Sequence, residues 1–187
     1  MLSFANTHRK TKGSEELPFF INVNRKQNTV IVYTTDNDGY YTVPCKAFVC
    51  SCGIPDENGV LHTPVGNFNT IEKYVWRELN GGVYGQYATR IVGRILFHSV
   101  PYHSMDKGSL KWSEYNKLGE AASEGCVRLT VEDAKWIYDN CPLGTPVTLY
   151  DSDRKEPLEK PTVMKIPEGS ENRGWDPTDP DSENPWK

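Results

Sequence analysis

From Phe20 onward, turns rich in Asn, Asp and Gly cut the chain into short runs of β-branched and aromatic residues. A chain so divided can bury its apolar side chains only by pairing strands. Phe20-Ile21-Asn22-Val23 and Thr29-Val30-Ile31-Val32-Tyr33 flank a polar turn at 24–28 and predict a hairpin. Asp36-Asn37-Asp38-Gly39 is a second strong turn, leading into Tyr40-Tyr41-Thr42-Val43. Residues 46–52 alternate, which puts Phe48, Cys50 and Cys52 on one face of a strand. Residues 65–68, 84–92, 94–98 and 146–150 supply further strands. Only one stretch reads as a helix: Val131, Ala134, Ile137 and Tyr138 recur at helical spacing over 131–140. Thr130-Val131-Glu132-Asp133 opens it as a capping box with Asp in place of Glu, and Pro142 with Gly144 stops it. The expected fold is mainly β, a sandwich or curled mixed sheet with one principal helix beside it.

At 187 residues the chain fits one domain with a real core. No apolar run approaches the ~18 residues of a membrane span. Residues 1–16 are polar and read as a disordered leader; the domain is expected over 17–152, with an acidic, Pro- and Trp-containing tail over 153–187. That composition favours disorder, while Trp175 and Trp186 favour anchoring on the domain surface, and the sequence does not decide between them. The net charge of −4 sits in the last twenty residues, where six acids meet two bases; the remainder balances. No basic patch emerges, which argues against nucleic acid as a partner.

The chemistry concentrates in Ser123-Glu124-Gly125-Cys126-Val127-Arg128-Leu129, read together with Ile95-Leu96-Phe97-His98-Ser99. The first is a small-residue turn holding a cysteine; the second brings a histidine to the end of an apolar strand. A thiol becomes a good nucleophile as thiolate, and a nearby histidine or helix N-terminus is the usual way to reach that state. The turn is expected to lead straight into the helix, leaving Cys126 just before its N-terminus. Gly125 permits tight backbone geometry, and main-chain N–H groups of Glu124, Gly125 and Cys126 could converge on an oxyanion. Four cysteines remain beside Cys126, enough for two disulfides; Cys50–Cys141 is the pair expected. Cys50-x-Cys52 has the wrong spacing for a zinc knuckle and no second pair accompanies it, so no metal is expected. Papain-like enzymes place cysteine before histidine, the reverse of the order here, and caspases need Gln-Ala-Cys.

These residues resemble the signature of the YkuD-type L,D-transpeptidases of bacterial cell walls. The likeness extends to Thr63-Pro64-Val65-Gly66-Asn67-Phe68, to Asp133-Ala134-Lys135-Trp136, to Gly144-Thr145-Pro146-Val147 and to Ile21-Asn22-Val23-Asn24. It departs from the commonest pattern at Glu124, where histidine is usual. It also carries a longer interval between His98 and Ser123, implying an insertion within 102–119 beside the site. The resemblance implies a YkuD-like β fold in which Cys126 is the nucleophile, His98 the general base, and the Ser99 main-chain carbonyl the third member. Gly125 would serve the oxyanion, and Arg128, Glu124, Ser123 and Tyr87 would meet substrate. Tyr84, Trp112 and Tyr115 are weaker candidates for the same cleft. It implies peptidoglycan stem peptides as partners, covalent β-lactam (carbapenem) adducts, no cofactor, and an extracellular, wall-associated location for a chain trimmed of its export signal. Transpeptidation is the leading expectation. An L,D-carboxypeptidase and a wall-binding module without catalysis are the alternatives.

Overall fold

The computed structural model describes residues 11–187. Most of the expected leader lies outside them; residues 11–16 are held by short bridges such as Lys12 to Tyr40. Nine strands and two helices follow: β1 (Phe20–Asn24), β2 (Thr29–Thr35), β3 (Tyr41–Val49), β4 (Gly66–Asn69), β5 (Glu72–Leu79), β6 (Val83–Val92), β7 (Ile95–Ser99), α1 (Trp112–Tyr115), β8 (Val127–Leu129), α2 (Val131–Asn140) and β9 (Pro146–Tyr150). The predicted hairpin is β1–β2, and the two runs expected around Pro44 are one strand, β3, whose pairing with β2 shifts register beside Tyr33.

The strands form two mixed sheets, ordered β3-β2-β1-β9-β4 and β5-β6-β7-β8. Pairing is antiparallel except for β1 with β9 and β7 with β8, which run parallel. One core joins them: Ile21, Val23, Val30 and Val32 of the first sheet meet Ile91, Phe97, Val127 and Leu129 of the second, with Ala134 and Ile137 of α2. Each such side chain contributes about 1.5–3 kcal/mol by leaving water, so this layer holds the site's strands together. α2 starts as its sequence dictates. Thr130 is the N-cap, and its hydroxyl accepts from Asp133 N–H at 3.1 Å, a contact worth about 1 kcal/mol.

Three features depart from the sequence reading. Strand β5 was not expected, because Glu72-Lys73-Tyr74-Val75-Trp76-Arg77-Glu78-Leu79 is half exposed on both faces and shows no clean alternation. Strand β8 intervenes between Cys126 and α2, so the cysteine does not abut a helix N-terminus. All five cysteines are free thiols. Cys50 has Cys52 as its sulfur neighbour at 3.9 Å, since both side chains leave the same strand face; Cys141 does not bridge to Cys50. The tail, which the sequence left undecided, is packed: Ile166, Asp176, Asp179 and Asn184 are buried, and Trp186 lies against a core that includes Val100, Tyr102 and Leu110.

Candidate active site

Parallel pairing of β7 with β8 builds the site. Its register sets Phe97 beside Val127, His98 beside Arg128 and Ser99 beside Leu129. Cys126 immediately precedes β8, so residues almost thirty positions apart share the rim of one cavity. That cavity, of about 620 Å³, is lined by Cys126, His98, Arg128, Glu124 and Ser123. Its other walls come from the β5–β6 hairpin, with Arg77, Asn80 and Arg90, and from Arg94 and Lys111.

The imidazole of His98 is fully enclosed, and its Nδ1 lies 2.5 Å from the Ser99 carbonyl oxygen. That contact holds the proton on Nδ1 and leaves Nε2 as the basic nitrogen. Gly85 on β6 packs against the ring: a Cβ there would stand 2.9 Å from Nδ1 and 3.1 Å from Cγ, which only glycine avoids. Burial drives the His98 pKa from 6.5 down to about 4; the Ser99 carbonyl opposes the shift and the Arg128 charge adds to it. Burial likewise pushes the Cys126 thiol up. A main-chain hydrogen bond from Leu96 and the charges of Arg128 and Arg90 oppose it, and Glu124 adds a smaller upward push. In the resting state the thiol donates to the Arg94 carbonyl at 3.4 Å. These shifts leave the Cys126 thiol and the His98 ring uncharged at pH 7.

The pH dependence follows with a definite sign. His98 becomes unable to accept a proton only near pH 4, so the acid limb of the acylation rate should lie about there and not near 6.5. A rate profile from pH 3.5 to 8 checks it. Stability should also fall as pH drops from about 6.5 toward 4, because the unfolded chain binds that proton first.

The cysteine turn is locked from within. Ser123 Oγ accepts from Gly125 N–H at 3.0 Å and donates to the Cys126 carbonyl at 2.5 Å. Thr63 Oγ1 donates to the Gly125 carbonyl and accepts from Gly53 N–H, both at 2.7 Å. Gly125 itself has φ +136, and a Cβ there would come within 2.9 Å of Ile95 Cδ1. Two expectations change in consequence. The N–H of Gly125 is engaged by Ser123 and does not face an oxyanion, which leaves the main-chain donors of Glu124 and Cys126. Ser123 holds the loop with its hydroxyl and does not offer it to a ligand.

Arg128 reaches the cavity wall but is paired, its Nη1 2.6 Å from Glu114 Oε2. Glu114 belongs to α1, within the expected insertion, so that segment braces the site. Glu124 is exposed on the rim, with Asn80 Nδ2 3.3 Å from its Oε2. Tyr87 is misplaced by the sequence reading: it turns away from the cavity at φ +48 and meets Tyr138 of α2 edge-on, centroids 5.6 Å apart. Tyr84, Trp112 and Tyr115 are likewise absent from the cavity lining. Sequence reasoning missed Arg77, Asn80 and Arg94 in their stead; a hairpin tip at Asn80-Gly81-Gly82 was the one signal for them. Among the described residues, no group of three or more His, Cys, Asp or Glu side chains could hold a metal ion.

Comparison with known proteins agrees with this geometry. The YkuD family, described as the L,D-transpeptidase catalytic domain, matches residues 18–149. YciB of Bacillus subtilis (strain 168), which bears a provisional L,D-transpeptidase name, is 51% identical over 57 residues, 30% of this chain and 28% of its own. A fused Zn-dependent amidase/peptidase/peptidoglycan-binding domain-containing protein from Clostridium acetobutylicum ATCC 824 superposes with a TM-score of 0.53 at 27% identity, over 80% of this chain and 60% of that one. L,D-transpeptidase 3 from Mycobacterium tuberculosis, solved with a faropenem-derived adduct, shares the fold at a TM-score of 0.51 and 24% identity, over 72% of this chain and 61% of its own. The chain thus spans less than two thirds of each relative's length. With the family match covering most of its residues, the chain belongs to the YkuD family of L,D-transpeptidase catalytic domains.

Proposed function

We propose that the chain is a peptidoglycan L,D-transpeptidase. In this reading Cys126 attacks the carbonyl between an L-centre and the terminal D-residue of a tetrapeptide stem. His98 Nε2 takes the thiol proton as the C–S bond forms, and returns it to the departing amine of the D-residue. The resulting thioester is attacked by an amine of a second stem, His98 again receiving the proton; the C–S bond breaks, the ring returns the proton to the departing Cys126 sulfur, and the new amide is the cross-link. Main-chain N–H groups of Glu124 and Cys126 serve the oxyanion in both halves. The observation that carries the reading is the fixed imidazole, tied through Nδ1 to the Ser99 carbonyl on the wall of the cavity that also holds Cys126. Action on wall peptides also assigns the protein to the outside of the cytoplasmic membrane.

The test is intact-mass measurement after incubation with a carbapenem, followed by analysis of the products made from muropeptides. A covalent adduct together with dimers supports transpeptidation. Shortened stems without dimers would assign the carboxypeptidase reaction, with water resolving the thioester. Neither adduct nor product would leave a binding module.

Glu124 separates substrate from drug. Its carboxylate opposes thiolate formation at Cys126, and a stem peptide can compensate by presenting a side-chain ammonium, in an exposed pair worth at most ~1 kcal/mol. Glu124→Gln is therefore expected to weaken peptide use modestly while carbapenem acylation stays equal or rises. Both rates measured on the one variant decide it; equal changes would show that Glu124 does not read the amine.

A further inference from the structure

We propose that the C-terminal segment 174–187 is a positioning strap for the active site, required for turnover although it lies outside the matched family domain at 18–149. The inference rests on the Cys126–His98 reading above.

The strap grips three elements, each one step from the catalytic groups. At the start of α2, Val131 N–H donates to Asp176 Oδ2 at 3.0 Å and Glu132 N–H to Thr178 Oγ1 at 3.1 Å. With Thr130 capping Asp133, the strap completes the satisfaction of that helix end, and so fixes the point where β8 and its Arg128 stop. At the insertion, Leu110 N–H donates to the Gly174 carbonyl at 2.8 Å, and Lys107 Nζ stands 2.6 Å from Asp181 Oδ2. This is the residue run that delivers Lys111 to the cavity and Glu114 to Arg128. On β6, Gln86 Nε2 donates to Asp179 Oδ2 at 3.2 Å while its main-chain N–H donates to Ser99 Oγ at 2.9 Å. Gln86 is thereby linked to the residue whose carbonyl orients His98, and it adjoins Gly85, against which the imidazole packs.

The strap is also closed on itself, so it can act as one body. Asn184 Nδ2 donates to the carbonyls of Asp176 and Asp179 at 3.0 and 2.8 Å, and Trp186 Nε1 to those of Asn172 and Trp175 at 3.0 and 3.1 Å. Asp176 and Asp179 are fully buried, where a carboxyl is tolerated only with donors to meet it: Val131 N–H with the N–H and hydroxyl of Thr178 for Asp176, and Gln86 Nε2 with Asp181 N–H for Asp179. A surface tail serving stability alone need not send its two buried carboxyls toward the start of α2, where β8 ends, and toward Gln86 of β6, which donates to Ser99.

The test uses the full chain with two mild substitutions, Thr178→Val and Lys107→Glu. Each is expected to lower carbapenem acylation and peptide turnover at least about 10-fold, short of the ~10²-fold that a 1 Å misplacement brings. Lys107→Glu with Asp181→Lys should recover most of the loss. Lys26→Glu, which breaks a comparable ion pair between Lys26 and Asp153 away from the cavity, should keep wild-type rates. The Nδ1 proton resonance of His98 should shift in the strap variants and stay put in Lys26→Glu, which reads positioning without any turnover. Strap variants that melt earlier yet react at wild-type rates with an unmoved His98 resonance would overturn the proposal. A wild-type chain that forms no adduct while the resonance still responds to the strap would sink the transpeptidase reading and leave the positioning intact.

Discussion

Cys126→Ala is expected to abolish both carbapenem labelling and stem-peptide dimer formation, with an unchanged circular dichroism spectrum. Of the five thiols, Cys126 is the one that lines the cavity. Cys50, Cys52 and Cys141 are buried in the core, and Cys45, exposed on β3, donates to the Val32 carbonyl of β2 and lies outside the cavity lining. The turn around Cys126 is tied by Ser123 and Thr63 through main-chain atoms, which remain when the sulfur and its contact with the Arg94 carbonyl are lost. Intact mass and peptide mapping check the result. Labelling that persists at another cysteine would transfer the nucleophile's role there.

His98→Ala should slow acylation by at least ~10²-fold, the lower end of what a positioned general base supplies. The neutral resting pair is the reason to expect no less. Burial holds the Cys126 pKa above its ordinary value, so little thiolate is present at pH 7 without a base to accept the proton. Among the described residues no other histidine can substitute, because His62 and His103 are exposed on loops and neither lines the cavity. The same variant should lose the acid limb near pH 4. A rate close to that of the parent would mean the sulfur is activated without the ring.

The helix at 131–140 and the β1–β2 hairpin were legible because their apolar spacing follows one period and their ends carry capping or turn residues. Cys126 and His98 were legible as a motif, since a tight turn and a strand end constrain residue types strongly, while the Ser99 carbonyl came from the family resemblance alone. The rest of the cavity was not. Arg77, Asn80 and Arg90 lie on a hairpin whose strand β5 is largely exposed, and an exposed strand needs no hydrophobic alternation to announce it. Tyr87 misled for the opposite reason: its aromatic ring suggested a cleft, and only the fold reveals that α2 covers it. The disulfide expectation failed because counting thiols says nothing about direction. Cys50 and Cys52 share a strand face and face each other across 3.9 Å. The tail's packing was undecided in the sequence because Asp176 reaches Val131 N–H, 45 residues upstream, beyond the reach of any local pattern.

The order β3-β2-β1-β9-β4 has a consequence for how the molecule comes into being. Strand β9 lies between β1 and β4, in parallel register from Ile21 with Val147 to Asn24 with Tyr150. Hairpins β1–β2–β3 can form early from neighbouring sequence, but β4 has no sheet to join until β9 has left the ribosome and slid into place. Closing a loop of more than a hundred residues before any reward is collected makes this a slow, late step. Until then the chain keeps two unpaired strand edges and no assembled core, the condition in which a polypeptide can still be threaded or can still aggregate. Synthesis past residue 150 thus precedes completion of the first sheet.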